Sequence, residues 1–182
     1  MTTQKVMAVV GAGVIGLSWA RLARDHGWRV GISDPRPDLD AVVEAAFGAD
    51  DSNVLCSKSM TDILGDADLV QENGPERLPI KHELFGEFLT AAPKHAVLAT
   101  SSSSISASLI GDGLSDASRI IVGHPFNPPA LMPLVEVVPG ARTSESTVTT
   151  AVSLYRSTEA DRRVVRNQCV GVAVDERNGY LY

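Results

Sequence analysis

Residues 6–16 read VMAVVGAGVIG, an apolar run of five residues followed by three spaced glycines. The run has the length of a buried strand and ends at a glycine, so a strand is predicted over residues 6–10. Apolar residues at helical spacing come next and predict a helix over residues 14–26, with Gly27 just beyond its end. The glycines therefore form a turn that joins a strand to a helix.

This turn fits the pattern Gly-x-Gly-x-x-Gly, which binds the pyrophosphate of a dinucleotide when it connects a strand to a helix. Gly11 permits the tight turn, Gly13 lets the backbone approach the pyrophosphate, and Gly16 lets the helix pack closely on the strand. The start of the helix, at Val14 and Ile15, carries a partial positive charge that favours phosphate. The alternative is a glycine-rich turn of an α/β fold that binds no dinucleotide.

A carboxylate follows the second predicted strand, over residues 29–33. Asp34 lies 23 residues after Gly11 (34 − 11), near the spacing of the acid that accepts the ribose hydroxyls of adenosine. A carboxylate there repels a 2′-phosphate, so NAD is favoured over NADP as the cofactor. Arg36 keeps NADP open as the alternative, because a nearby arginine can accommodate that phosphate.

Short apolar runs alternate with helical patterns along the rest of the chain. Further strands are predicted at 53–56, 68–71, 96–100, 120–122, 134–138 and 163–165. Further helices are predicted at 39–47, 61–64, 77–91 and 144–155, and a short helix is predicted to end at Leu109. The four prolines of 125–133 predict a loop. This alternation predicts an α/β fold with a doubly wound, mostly parallel sheet covered by helices on both faces.

The composition favours one soluble globular domain. The chain has 182 residues, of which 44% are hydrophobic and 21% charged, and its net charge of −6 argues against nucleic acid as a partner. No long apolar segment and no cleavable leader is found, so we expect no membrane partner and a cytoplasmic location. Cys56 and Cys169 lack the spacing of metal ligands, so no metal is expected, and both are interpreted as buried thiols.

A histidine with polar neighbours follows the predicted strand at 120–122. Residues 123–129 read GHPFNPP, which places His124 at the carboxyl edge of the sheet, where folds of this class bind ligands. Asn127 lies in the stiff proline loop, and Glu136 returns on the next strand. A carboxylate beside a histidine fixes its tautomer and stabilises its charged form, so this pair is a candidate general base. Taken singly, the three residues would be a core or surface histidine, a turn former and a solvated acid.

Three motifs together resemble the 3-hydroxyacyl-CoA dehydrogenase family, and most closely its lambda-crystallin and carnitine dehydrogenase branch. They are GVIGLSWA at 13–20, QENGPE at 71–76 and HPFNPP at 124–129, in the family's order, within a resemblance that covers residues 5 to about 168. The resemblance implies a Rossmann fold and an NAD-dependent enzyme. Such an enzyme transfers a hydride between NAD(H) and the C3 hydroxyl or keto carbon of a 3-hydroxy or 3-keto acid or its thioester. It also implies a role in fatty acid metabolism and a dimer.

The resemblance further implies roles for particular residues. His124 matches the catalytic histidine and Glu136 its acidic partner, while Ser103 matches the serine that hydrogen-bonds the substrate oxygen. Asn127 matches the asparagine at the nicotinamide and substrate. The cofactor contacts are Gly11, Gly13, Val14, Ile15, Gly16, Asp34, Glu76, Lys81 and Ser101. Without the resemblance, Glu76 and Lys81 would be a helix-start acid and a lysine on a solvated face, and residues 101–104 a polar turn.

Two departures from the family shape the expectations. Between Arg36 and Arg77 the one basic residue is Lys58, so no basic cluster is predicted for the 3′-phosphate of CoA. Residues 1–168 are expected to form the NAD-binding domain, with 169–182 a short tail where the family's helical C-terminal domain would begin. A homo-oligomer or a separate helical domain could then complete the pocket. The alternative function is a non-catalytic NAD-binding module, or a subunit or fragment that needs a partner domain.

A different oxidoreductase on the same dinucleotide fold is a third reading. An enzyme of the 6-phosphogluconate or 3-hydroxyisobutyrate type is expected to use a lysine as its catalytic base. No lysine follows Lys94 in this sequence. The lack of a later lysine therefore favours the histidine-based enzyme over this alternative.

Overall fold

The computed structural model describes residues 4–129, 131–159 and 162–167. These residues form eight strands: β1 Val6–Val10, β2 Arg29–Ser33, β3 Val54–Ser57, β4 Leu69–Glu72, β5 Val97–Thr100, β6 Ile120–Pro125, β7 Leu134–Pro139 and β8 Arg163–Arg166. They also form six α-helices: α1 Val14–Asp25, α2 Leu39–Phe47, α3 Thr61–Leu64, α4 Leu78–Ala91, α5 Ala107–Gly111 and α6 Glu145–Arg156. A single 3₁₀ turn, Ala117–Arg119, leads into β6.

All of these strands belong to one sheet, in the order β3-β2-β1-β4-β5-β6-β7-β8. Neighbouring strands are parallel except β6 and β7, which are antiparallel. The predicted doubly wound, mostly parallel α/β sheet is therefore confirmed. The chain winds outward from β1 to β3 and then returns to place β4 on the other side of β1. Ligands bind at the carboxyl ends of the strands beside such a reversal.

The sheet is buried on both faces, which explains the nearly continuous apolar strands. Within β1, Met7 and Val9 pack into the core under α1, α2 and α6, whereas Ala8 and Val10 pack into the core under α3, α4 and α5. Trp19 of α1 and Tyr155 of α6 meet in the first core with ring centroids 5.4 Å apart. Packing on both faces fixes the strand ends, so the backbone that carries the side chains at the carboxyl edge is held in place.

The strand that carries the histidine is longer than predicted. The pattern indicates residues 120–122, but β6 continues to Pro125 because Gly123, His124 and Pro125 pair with Val137, Glu136 and Val135 of β7. The predicted proline loop therefore begins one residue later, at Phe126. An antiparallel partner of this kind is a long-range feature, and the local apolar run gives no sign of it.

Of the two cysteines, Cys56 lies within the described residues and Cys169 does not. Cys56 is a free thiol but is only partly buried, since it lies on the edge strand β3 and donates to Oδ1 of Asp40 at 3.3 Å. Cys169 and the proposed domain boundary at 168/169 lie outside the described residues. Within the described ranges, no helix is both long and apolar enough to cross a membrane.

Candidate active site

The glycine turn lies at the carboxyl end of β1, at the reversal point of the sheet. Gly11 has φ of +102°, and a Cβ on it would come within 2.8 Å of the carbonyl oxygen of Asn73. A Cβ on Gly16 would overlap the carbonyl oxygen of Gly11. Glycine is therefore required at both positions, which is how the start of α1 comes to lie directly on the end of β1.

Gly13 differs, because the space in front of it is open. It is exposed, and an ideal Cβ on it would have no atom within 4 Å. It is the N-cap of α1, where no side chain caps the helix and the first turn holds no acidic residue. The first backbone N–H groups of a helix lack partners within it and attract phosphate. This open space suits the pyrophosphate of a dinucleotide, and the predicted contact of Gly13, Val14 and Ile15 with it stays a prediction.

Asp34 is fixed against this turn by backbone groups. Its Oδ2 accepts the N–H of Ala12 at 2.7 Å, and its Oδ1 accepts the N–H of Arg36 at 2.9 Å. The N–H of Gly11 donates to the carbonyl of Ser33 at 2.7 Å, which joins the turn to the end of β2. Each carboxylate oxygen keeps a further lone pair. The side chain is therefore held where it could accept the hydroxyls of an adenosine ribose.

Lys81 lies inside the protein, although the simple pattern would make it a solvated lysine. Its side chain is 1% exposed, and its Nζ is 3.0 and 2.8 Å from Oε1 and Oε2 of the fully buried Glu72. Thr100 donates to Oε2 of Glu72 at 2.6 Å, and Glu76 lies 3.3 Å from the same ammonium. The solvated-lysine alternative is wrong. The cofactor-binding role of Lys81 stays a prediction. The buried ammonium of Lys81 contacts the exposed side of the site through the carboxylate of Glu76.

Glu76 anchors the serine loop, residues 101–104, which follows β5. Its Oε1 accepts hydrogen bonds from the hydroxyls of Ser102 and Ser104 and from the backbone N–H of Ser104, the last two at 2.8 and 3.2 Å. Partial burial raises the pKa of Glu76, but the hydrogen bonds from both serines and the charge of Lys81 outweigh it and lower the pKa. Ser103 is exposed between these two anchored serines. The loop is thus held by its neighbours while Ser103 faces solvent.

A buried polar network joins the serine loop to the strand of the histidine. The hydroxyl of Tyr155 donates to Oε1 of Gln71 at 2.6 Å, and Nε2 of Gln71 donates to Oγ of Ser101 at 2.8 Å and to the carbonyl of Gly123 at 3.1 Å. Ser101 in turn donates to Oδ1 of Asn73 at 2.7 Å. The predicted cofactor contact of Ser101 stays a prediction, because its hydroxyl already has a donor and an acceptor in the protein.

His124 and Glu136 stand directly opposite each other on β6 and β7. Nδ1 of the imidazole is 2.8 Å from Oε2 of Glu136, whose side chain is fully buried, while the histidine side chain is 18% exposed. Asn167 donates to Oε1 of Glu136 at 2.6 Å, and the ring of Phe126 meets the imidazole edge-on at 5.7 Å. With Nδ1 directed at the carboxylate, Nε2 is the nitrogen that can take a proton from a substrate.

Ser103 and Asn127, the other two predicted catalytic residues, lie on exposed loops at the same edge. Ser103 follows β5 and Asn127 follows β6, and these strands are parallel neighbours. Their carboxyl ends therefore face the same way as His124. The peptide bond from Asn127 to Pro128 is cis. Contact of either side chain with a substrate stays a prediction.

The predicted site residues thus all belong to one edge of the sheet, from Asp34 after β2 to His124 at the end of β6. Gln71, Tyr155 and Asn167 are added by the structure, and the sequence assigned them no role. A glutamine directly after the apolar residues Leu69 and Val70 of a predicted buried strand was a usable signal for Gln71. Nothing local indicates Tyr155 or Asn167, since their partners lie 84 and 31 residues away.

Comparison with known proteins agrees with this geometry. The family model described as "3-hydroxyacyl-CoA dehydrogenase, NAD binding domain" matches residues 41–169. A 3-hydroxyacyl-CoA dehydrogenase of Gibberella moniliformis is 41% identical over 167 residues, which cover 84% of this chain and 52% of that protein. An L-carnitine dehydrogenase of Nocardiopsis dassonvillei is 39% identical over 167 residues, which cover 84% of this chain and 51% of that protein.

Among solved structures, a 3-hydroxybutyryl-CoA dehydrogenase from Escherichia coli superposes with a TM-score of 0.78 at 28% identity, covering 91% of this chain and 38% of that one. The chain spans about half the length of the curated relatives it matches. These matches confirm the resemblance seen in the motifs and the expectation of NAD as the cofactor. The chain belongs to the 3-hydroxyacyl-CoA dehydrogenase family and contains its NAD-binding domain.

Proposed function

We propose that this chain is the cofactor-binding and proton-transferring part of an oxidoreductase acting on a small 3-hydroxy or 3-keto acid or its thioester. The observation that carries the proposal is the 2.8 Å contact between the partly exposed His124 and the fully buried Glu136. A protein that only bound NAD would have no use for a buried carboxylate behind an accessible imidazole. Such a pair is suited to general acid–base catalysis.

The proton chemistry follows from this pair. In the oxidation, the substrate hydroxyl gives its proton to Nε2 of His124 while the C3–H bond breaks and its electron pair leaves as hydride. Glu136, held by Asn167, stabilises the imidazolium that forms and keeps Nδ1 protonated. Ser103 and Asn127 hold the oxygen as it becomes a carbonyl. In the reduction, the same residues act in the reverse order.

Bound NAD supplies the acceptor for the hydride. The uncapped backbone N–H groups at Gly13, Val14 and Ile15 would hold its pyrophosphate. Asp34, which is fixed against the turn, would accept the hydroxyls of its adenosine ribose. The residues that would face the nicotinamide end are those that follow β5 and β6, which include the serine loop and His124. Because Glu76 anchors the serine loop, that loop keeps its position while cofactor and substrate bind and leave.

The substrate class is supported by the relatives. Some are named for 3-hydroxyacyl-CoA and others for L-carnitine, a free 3-hydroxy acid. This chain has one basic residue, Lys58, between Arg36 and Arg77. We therefore propose that it accepts 3-hydroxy acids that carry no CoA.

A partner domain is the second part of the proposal. The chain spans about half of its curated relatives, and Leu131 and Met132, just after the histidine loop, are 77% and 44% exposed. Large exposed apolar side chains beside a polar site are typical of a surface that another domain or subunit covers. We propose that residues 1–168 form the NAD-binding domain and that a helical domain or a second copy completes the pocket. The cytoplasmic location, the dimer and the role in fatty acid metabolism stay predictions.

The test combines cofactor binding with turnover. NADH binding is measured by calorimetry, and oxidation of NADH is followed by absorbance with free acetoacetate and with an acetoacetyl thioester. Turnover that disappears in His124→Ala, but persists in a His95→Ala control at an exposed position outside the site, supports the enzyme. Binding without turnover, even when a relative's helical domain is supplied, would reduce the chain to a cofactor-binding module.

A further inference from the structure

A pair of charged side chains lies beside the adenosine end of the predicted cofactor site. Nε of Arg36 is 2.8 Å from Oδ1 of Asp38, and Nη2 of Arg36 is 3.1 Å from Oδ2. Two parallel hydrogen bonds of this kind are the preferred geometry between a guanidinium and a carboxylate. The hydrogen bond from Arg36 lowers the pKa of Asp38, and the same bond raises the pKa of Arg36. The carboxylate thus occupies one edge of the guanidinium.

The pair is close to the turn and to the ribose carboxylate. The backbone N–H of Arg36 donates to Asp34, and Nη1 of Arg36 is 3.5 Å from the carbonyl oxygen of Ala12. An arginine at this place in a Rossmann fold can accommodate the 2′-phosphate that distinguishes NADP from NAD. The chain therefore carries the basic group that a 2′-phosphate needs, but Asp38 already engages the edge of that group formed by Nε and Nη2.

We propose that Asp38 is a cofactor-specificity residue, which excludes NADP by holding the Arg36 guanidinium away from a 2′-phosphate. The inference rests on the dinucleotide site of the proposed function. Asp34, Arg36 and Asp38 carry one positive and two negative charges, so their net charge is −1, and a doubly charged phosphate is repelled. Without the carboxylate of Asp38 the local charge is zero, and Nε and Nη2 of Arg36 become available as a bidentate donor.

The fold does not need the carboxylate of Asp38 for another purpose. Asp38 is the N-cap of α2, yet its side chain makes no hydrogen bond to the helix backbone. Asparagine and serine are equally good or better N-cap residues, so Asp38→Asn and Asp38→Ser should fold as the wild-type chain does. The two variants remove the charge by different side chains, which protects the test against a failure of either one.

The experiment measures nucleotide binding alone. The full chain is titrated calorimetrically with NADH and NADPH, and with ADP and 2′,5′-ADP to isolate the 2′-phosphate. In Asp38→Asn and Asp38→Ser we expect NADPH and 2′,5′-ADP to bind about tenfold more tightly, because one repelling charge is lost and one donor edge is gained. NADH and ADP should change little. The gain should shrink as salt is added, since the charges are exposed.

Two controls locate the cause. The gain should vanish in Arg36→Ala/Asp38→Asn, because the receiving guanidinium is gone. It should be absent in Asp40→Asn, which removes the same charge two residues along the same helix. A chain that binds NADH but gains nothing for NADPH in either Asp38 variant would overturn the inference alone. So would a gain that survives without Arg36 or that appears equally in Asp40→Asn. A wild-type chain that binds neither NADH nor ADP would overturn the cofactor site itself.

Discussion

Glu136 shows how much a single buried residue contributes to the candidate chemistry. Its side chain is fully buried between two donors, since Oε2 faces Nδ1 of His124 and Oε1 accepts from Asn167. An amide at this position can present one oxygen and must turn its NH₂ toward one of these donors. In either orientation the imidazole loses the negative charge that stabilises its protonated form.

We therefore expect Glu136→Gln to lower kcat about 10²- to 10⁴-fold in a chain supplied with any domain it needs. The affinity for NADH should stay near the wild-type value, because Glu136 lies on β7 opposite His124, separated by three strands from β1 and the glycine turn that follows it. Steady-state kinetics gives the first quantity and calorimetry the second. Wild-type kcat in Glu136→Gln would remove the pair from the mechanism.

Glu76 gives a prediction on stability and pH. Its folded-state pKa is lowered, so its stabilising contribution is fully present above its ordinary pKa of 4.5 and is lost as the pH falls through the lowered value. The side chain is 41% exposed, so solvent screens much of the effect. We expect Glu76→Gln to lower the free energy of unfolding by about 1 kcal/mol at pH 7.

This difference from the wild-type chain should shrink as the pH falls below about 4.5, because the carboxyl of the unfolded wild-type chain then takes up a proton, and it should be lost once the pH is below the lowered pKa of the folded state. Urea denaturation at pH 7 and near pH 4 measures both values. The exposed Glu87→Gln on the same helix, α4, is the control. A loss at Glu76 that is unchanged at acid pH would mean that charge is not its cause.

At the scale of elements, local patterns located most strands and helices, because the apolar runs are short and are bounded by glycine, proline or polar residues. The pairing between elements was not local. β6 extends to Pro125 only through its antiparallel partner β7. The hydroxyl of Tyr155 on α6 meets Gln71 on β4 across 84 residues of sequence. Such contacts depend on the final packing, so the sequence could not indicate them, whereas the motif residues around His124 could be found by pattern.

The link between α6 and β4 leads to a third prediction. Tyr155→Phe leaves Oε1 of Gln71 in the core without its donor, which should lower the free energy of unfolding by about 1–3 kcal/mol. Replacing both partners, in Gln71→Met/Tyr155→Phe, should cost less than the sum of the single changes. Chemical denaturation of the four proteins gives the coupling free energy. Additive losses would show that the hydrogen bond contributes nothing beyond the two side chains.

At the scale of the whole molecule, the order of the strands explains why residues far apart in sequence share one edge. Since β2, β1, β4, β5 and β6 are parallel, the residues that follow each of them lie on the same side of the sheet. A dinucleotide can then extend along that edge from Asp34 to His124. This placement could be predicted in outline from the alternation of strands and helices, but its register required the structure.

A cofactor that binds only the folded chain must stabilise the whole molecule. At a concentration about 100 times its Kd, NADH should add about 2.7 kcal/mol to the free energy of unfolding. For a chain of this size that corresponds to a rise in Tm of about 5–10 °C. Thermal melting with and without NADH measures it.

Two glycine variants test whether the rise comes from the turn. Gly13 has an extended backbone with φ of −78°, and a Cβ on it would meet nothing, so Gly13→Val should melt near the wild-type Tm without cofactor. It should lose most of the NADH-dependent rise, because the side chain fills the space that the pyrophosphate needs. Gly11→Ala should behave in the opposite sense and melt lower even without NADH, since φ of +102° and the contact with Asn73 both oppose a Cβ. A full NADH-dependent rise in Gly13→Val would show that the cofactor does not lie over the glycine turn.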